Sequence, residues 1–191
     1  PFVVPGGRFR EFYYWDTFWI VEGLLVSELA QTAKSVILNL LYMVKKFGFI
    51  PNGTRLYFLN RSQPPMLAQM VVSYFDKTSD MDLLREALPV LDMEYKFWLD
   101  QRTVNLTLPS GDAKQAGKTH SLAVYSVVTD IPRPESWLED EELVKGMNED
   151  ERREMFHQLA SACETGWDFS SRWFQDGTDL STIKTSNVVP V

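Results

Sequence analysis

The sequence holds one cysteine, Cys163, and two histidines, His120 and His157. A single thiol excludes an internal disulfide framework and leaves the redox compartment undecided. Neither histidine has a second His or Cys at ligand spacing, so no zinc site and no metal is expected. Each histidine reads as hydrogen-bonded and structural, and Cys163 as a core residue. No glycine-rich phosphate loop of the G-x-x-x-x-G-K type occurs. Positive charge is scarce as well: the net charge is −7 and no local Lys/Arg cluster reverses it, which argues against nucleic acid as a partner. No apolar run reaches the roughly 20 residues of a membrane helix. The nearest, Val36 to Val44, is broken by Asn39 and followed by Lys45 and Lys46, so this segment is expected to make no membrane contact. The chain opens on Pro1 rather than Met. It therefore reads as a piece of something longer, and the missing leader says nothing about location.

What is present is ample apolar material. Hydrophobic residues make up 45% and aromatics 13% of the 191 residues, enough to bury a core. The aromatic surplus suits a carbohydrate cleft, and it suits a large core equally well. Period-two alternation is nearly absent, whereas helical periodicity recurs. Trp15 to Ala30 reads as one helix, apolar around much of its circumference. Val36, Ile37, Leu40, Leu41 and Val44 mark one face of a second, stopped by Gly48 and Pro51. Met66 to Phe75 reads as a third. Leu84, Leu88, Leu91, Tyr95 and Trp98 mark the expected buried stripe of a fourth, with Pro89 either kinking or splitting it. Ser136-Trp137-Leu138-Glu139 predicts a capping box opening a fifth. Asn148 with Glu149, Asp150 and Glu151 starts a sixth, whose stripe is Met155, Phe156, Leu159, Ala160 and Cys163. Only Thr103 to Leu108 and His120 to Val128 favour strands, around the turn-rich Pro109-Ser110-Gly111-Asp112, which predicts a β-hairpin. The class is mostly α, with layered helix pairs.

The polar and aromatic residues capable of chemistry gather in loops and at helix ends. Pro5-Gly6-Gly7-Arg8-Phe9-Arg10-Glu11-Phe12-Tyr13-Tyr14-Trp15-Asp16 is a glycine turn feeding charged and aromatic side chains into a helix start. Ions that grip hydroxyls, beside a ring that covers a sugar's apolar face, suit a polyhydroxylated ligand. A structural Arg8–Asp16 ion pair explains the same residues. Gly48-Phe49-Ile50-Pro51-Asn52-Gly53-Thr54-Arg55 and Asn60-Arg61-Ser62-Gln63-Pro64-Pro65 place amide and guanidinium donors in short rigid loops, although ordinary turn chemistry also accounts for them. Pro132-Arg133-Pro134-Glu135-Ser136 pins an Arg and a Glu between prolines, as a solvated loop before a helix also would. In Glu164-Thr165-Gly166-Trp167-Asp168-Phe169-Ser170-Ser171-Arg172-Trp173, which ends the sixth helix, the flanking rings can desolvate Asp168, raise its pKa and keep it protonated as a general acid. The competing reading pairs Asp168 with Arg172.

Taken in order, PGGRFREFYYWD, IPNGTR with NRSQPP, PRPES and GWDFSSRW closely resemble the trehalases, inverting glycosidases that split α,α-trehalose into two glucose molecules. GWDFSSRWF and PRPESW look most like the animal branch. The resemblance implies an all-α fold, an incomplete (α/α)6 toroid with one small β-hairpin. Residues 1–191 would be part of a single catalytic domain missing its carboxy-terminal portion. It further implies Asp168 as general acid, with Arg8, Phe9, Tyr13, Trp15, Asp16, Asn52, Arg61 and Gln63 lining the sugar pocket. Arg133 and Glu135 match polar contacts nearer the leaving glucose, and Gly166 a close backbone approach. No cofactor is implied, and the expected partner is trehalose itself.

The family's Gln-Trp-Asp signature and its catalytic base, a glutamate further downstream, find no match here. Inversion needs two carboxyls about 6.5–9.5 Å apart, so this chain is expected to be inactive alone. A non-catalytic sugar-binding chain and another (α/α)6 glycosidase are the alternative readings. Animal-type members are often extracellular or membrane-anchored, which gives the N-x-[ST] sequons at Asn52, Asn60 and Asn105 a meaning. Asn52 matches a pocket residue and Asn60 adjoins Arg61, so Asn105 is expected to be the only one open to a glycan.

Overall fold

A computed structural model describes residues 1–107 and 117–184. They form two compact units, one of residues 1–96 and 164–166, the other of the described residues within 97–163 and 167–184. No helix among the described residues is long and apolar enough to cross a membrane.

The first unit is built on helices α1 (Asp16–Val26), α2 (Ala30–Phe47), α3 (Leu67–Thr78) and most of α4 (Met81–Gln101). The expected single helix from Trp15 to Ala30 ends at Val26, and Ala30 opens α2. Glu28 takes a left-handed φ of 62°, and the Leu29 N–H returns to the Leu24 carbonyl, so the chain reverses there without a glycine to announce it. The α2 stripe is buried as expected: Val36, Ile37, Leu40, Leu41 and Val44 all lie in the core. Lys45 and Lys46 in its last turn suit the negative helix end. Gly48 then closes α2 at φ 84°, its N–H on the Val44 carbonyl.

Asp80 caps α4 by accepting from the Leu83 N–H at 3.0 Å, and pairs with Lys34 of α2 at 2.6 Å. Helix α4 runs unbroken through Pro89. Its buried face is Leu83, Ala87, Val90 and Glu94, whereas Leu88 and Tyr95 of the expected stripe are 53% and 65% exposed. The true face includes a carboxyl, Glu94, which apolar periodicity cannot register.

The second unit carries strands β1 (Thr103–Thr107) and β2 (Thr119–Ala123), antiparallel, with Asn105 opposite Ser121. The expected turn at residues 109–112 lies outside the described residues. The second strand stops at Ala123 rather than Val128: the Val124 N–H still bonds the Arg102 carbonyl at 2.9 Å, and Val124 and Val127 are then buried. The Val127 N–H bonds Ser161 Oγ at 2.9 Å, on helix α6 (Glu149–Glu164).

Helix α5 (Trp137–Leu143) follows a 3-10 turn, Pro134–Ser136. Ser136 makes no side-chain cap bond, contrary to expectation. Asp140 reaches back past it to the Arg133 N–H at 2.9 Å, one turn earlier. The reciprocal box forms instead at α6, where Asn148 Oδ1 accepts from the Glu151 N–H and Glu151 Oε2 from the Asn148 N–H. The α6 stripe is buried as expected, and Val144, Met155, Phe156, Leu159, Ala162, Trp173 and Ile183 form this unit's core.

Candidate functional site

Gly6 and Gly7, both at positive φ, fold the first loop so that Gly6 and Phe9 exchange backbone hydrogen bonds. This turn leaves Arg8 exposed, its guanidinium 5.0 Å above the exposed Phe9 ring. Phe9 meets Tyr13 edge-on at 5.6 Å, and Tyr13 meets Phe58 at 6.1 Å. The Tyr13 hydroxyl donates to Glu11, and burial, reinforced by that carboxylate, pushes its pKa up to about 12. Asp16 opens α1 half-buried, and desolvation raises its carboxyl above the ordinary range. No Arg8–Asp16 ion pair forms among the described residues, which removes the simplest structural explanation of both.

The other loops of the first unit are tied to this one by backbone and amide groups. The Tyr14 N–H donates to the Asn52 carbonyl at 3.0 Å, and Tyr13 bridges Gly53. The Asn52 N–H donates to the Arg61 carbonyl at 2.9 Å, and Asn52 Nδ2 donates to the Ser62 carbonyl at 3.1 Å. Gln63 Oε1 accepts from the Trp15 N–H at 3.0 Å. Asn52, Arg61 and Gln63 are all buried, and the Arg61 guanidinium lies 4.9 Å over Phe58. Gly166, at φ 72°, sits against Trp15 so closely that an added Cβ would be 2.7 Å from the indole Cζ2. The first unit therefore brings together Arg8, Phe9, Tyr13, Trp15, Asp16, Asn52, Arg61, Gln63 and Gly166.

Asp168, Arg133 and Glu135 belong to the second unit. Asp168 is exposed rather than enclosed by its flanking rings. Trp167, half in solvent, carries the Arg172 guanidinium at 4.8 Å, and Phe169 carries that of Arg133 at 4.9 Å. Both rings thus carry a cation. Arg133 is buried and clamped by Asp140, whose Oδ2 accepts from Nε at 2.9 Å and whose Oδ1 accepts from Nη2 at 2.5 Å. Its Nη1 donates to Cys163 Sγ at 3.1 Å. Glu135 is exposed. Of the sequons, Asn52 is buried with its Nδ2 already donated, while Asn60 and Asn105 are both exposed. Burial thus closes the first, and Asn60 Oδ1 accepts from Arg61 Nη1 at 3.2 Å, so a glycan there would adjoin that guanidinium.

Sequence reasoning assigned no role to three residues that organise the first unit. Tyr14 is fully buried, donates to Glu94 at 2.7 Å and accepts from the Leu67 N–H at 3.0 Å. Glu164 accepts from the Ser62 N–H at 2.8 Å. A carboxyl inside an otherwise apolar helix face was the available signal for Glu94. Nothing local in the sequence marks Glu164, whose partner is 102 residues away.

The family model for trehalase matches residues 1–191. A trehalase of Dictyostelium discoideum is 50% identical over all of this chain and 32% of its own length. The human trehalase is 46% identical over all of this chain and 32% of its own. A probable trehalase of rice is 46% identical over 99% of this chain and 33% of its own. The chain thus spans about a third of the length of these relatives. Among solved structures, the neutral trehalase Nth1 of Saccharomyces cerevisiae superposes with a TM-score of 0.63 at 24% identity, over 90% of this chain and 34% of that one. This likeness shows the fold, all-α of the (α/α)6 glycosidase kind with one small β-hairpin. With its whole length matched, this chain belongs to the trehalase family.

Proposed function

We propose that the chain contributes the sugar pocket and the general acid of an enzyme that hydrolyses α,α-trehalose to two glucose molecules with inversion, both units belonging to one catalytic domain. The observation that carries this reading is the first unit's convergence of three loops distant in sequence on one set of hydroxyl-binding groups. Gln63 has its Oε1 fixed by Trp15, while its Nε2 makes no hydrogen bond among the described residues and is left to donate to a ligand. Trp15 and Tyr13 offer ring faces to a sugar's apolar side, and Asp16 and Arg8 supply an acceptor and a donor.

In this reading Asp168 protonates the glycosidic oxygen, and water attacks the opposite face of the ring with help from a second carboxylate. Its solvent exposure allows it to be reprotonated between turnovers. No segment of these 191 residues matches the family's base, so the chain alone binds sugar weakly and does not turn it over. In a chain carrying these residues within the full length of its relatives, Asp168→Asn lowers kcat by about 10²–10⁴-fold while trehalose still binds. Full activity in that variant would return Asp168 to a structural pairing with Arg172.

A further inference from the structure

Glu164 stands where a carboxylate is least at home. It is 0% exposed, and burying an ionised carboxyl is costly unless it is well hydrogen-bonded. It is also the last residue of α6, a helix with no basic residue in its final turn, where the helix dipole opposes negative charge. A bond that crosses from this helix end to a distant loop gives the buried carboxyl a role beyond the packing of α6.

Its Oε1 accepts from the Ser62 N–H at 2.8 Å, a charge-assisted bond of the stronger kind. Ser62 is itself fully buried and spends every polar atom of its own on neighbours. Its Oγ donates to the Ile50 carbonyl at 2.6 Å, and its carbonyl accepts from Asn52 Nδ2 at 3.1 Å. On one side of Ser62 stands Arg61, whose carbonyl receives the Asn52 N–H; on the other stands Gln63, whose Oε1 receives the Trp15 N–H. Two residues beyond Glu164, Gly166 meets the Trp15 ring itself. The segment Glu164–Gly166 therefore fixes both ends of one chain of contacts: Ser62 by a carboxylate, and Trp15 by a glycine without a side chain.

We propose that Glu164 is a positioning residue of the sugar pocket, acting through Ser62 to keep Asn52, Arg61 and Gln63 in register with Trp15. The proposal rests on the trehalase reading for the word sugar, but not for the hold on Ser62. Glu164→Met matches the volume and removes the acceptor; Glu164→Gln keeps a carbonyl oxygen within reach of the same N–H.

Amide hydrogen exchange on this chain is expected to speed up about tenfold or more at residues 61–63 and at Trp15 in Glu164→Met. Core amides of α2 should not change, and Glu164→Gln should restore most of the protection. In the full-length enzyme Glu164→Met raises KM for trehalose about tenfold with a smaller change in kcat. Unchanged exchange at Ser62, equal loss of protection in α2, or a Glu164→Met chain that does not fold would each overturn the proposal, the last two by making the residue merely structural. If exchange responds as stated while the full-length wild type releases no glucose from trehalose, the trehalase reading fails and the hold of Glu164 on Ser62 stands.

Discussion

The two units bury their ionisable groups in opposite ways. In the first, two carboxyls enter the interior as acceptors of hydrogen bonds from distant segments: Glu94 meets the Tyr14 hydroxyl and Glu164 meets the Ser62 N–H. In the second, Asp140 enters together with Arg133, two hydrogen bonds to the guanidinium and one to its backbone N–H. Burial raises Glu94 to about 7, only partly offset by Tyr14. Burial also pulls Arg133 down, but the bonds and charge of Asp140, with Cys163, outweigh it and hold the guanidinium firmly protonated. The first arrangement ties distant segments together, and its Glu94 answers to pH. The second locks one helix to the loop before it.

The sharpest break in this contrast is Asp140→Ala. It strands a buried guanidinium, and the second unit should lose about 3–5 kcal/mol in urea unfolding. Replacing the pair together, Arg133→Met with Asp140→Leu, should lose far less, since no charge is left unpaired. Equal losses in the two variants would mean that the pair acts by packing alone.

A smaller effect separates the units by pH. Glu94 has a folded pKa near 7 against an unfolded value of 4.5, so its protonated form favours the fold. That stability is complete below about 4.5, declines through the window by roughly 1.4 kcal/mol per pH unit, and is gone above about 7. Glu94→Gln, which still accepts from Tyr14, should flatten this dependence in melts across that range. A slope that persists in the variant would move the titration elsewhere. Gly166→Ala sits lower still, at about 1–2 kcal/mol for the left-handed backbone, accompanied by a change in Trp15 fluorescence as the ring gives way to the new Cβ. The smallest contrast lies within the second unit. Asn148→Ala should cost about 1 kcal/mol, and Ser136→Ala almost nothing, because only Asn148 forms its capping box.

Helices with one clean apolar face were legible from the sequence. The α2 and α6 stripes are buried residue for residue, and Gly48 stops α2 where a left-handed glycine should. The failures share a cause: a polar group decided the geometry over a distance that periodicity does not sense. Glu94 turned the α4 face because Tyr14 lies 80 residues before it. Asp140 capped Arg133 and left Ser136 idle. Val127 left its strand for Ser161. The site followed the same rule. Its loops were readable as motifs, and the residues that hold them together, Glu164 and Ser62, were not, because each looks ordinary until its partner is known.

The claim underlying this account is that these residues hold the sugar and the proton donor but not the group that activates water. Glucose release from α,α-trehalose by the purified 191-residue chain tests it most directly, beside the same residues carried within the full length of their relatives. The account predicts turnover from the long chain and none from the short one. Glucose release by the short chain at a comparable rate would contradict it, and would place a working base among the carboxylates already described.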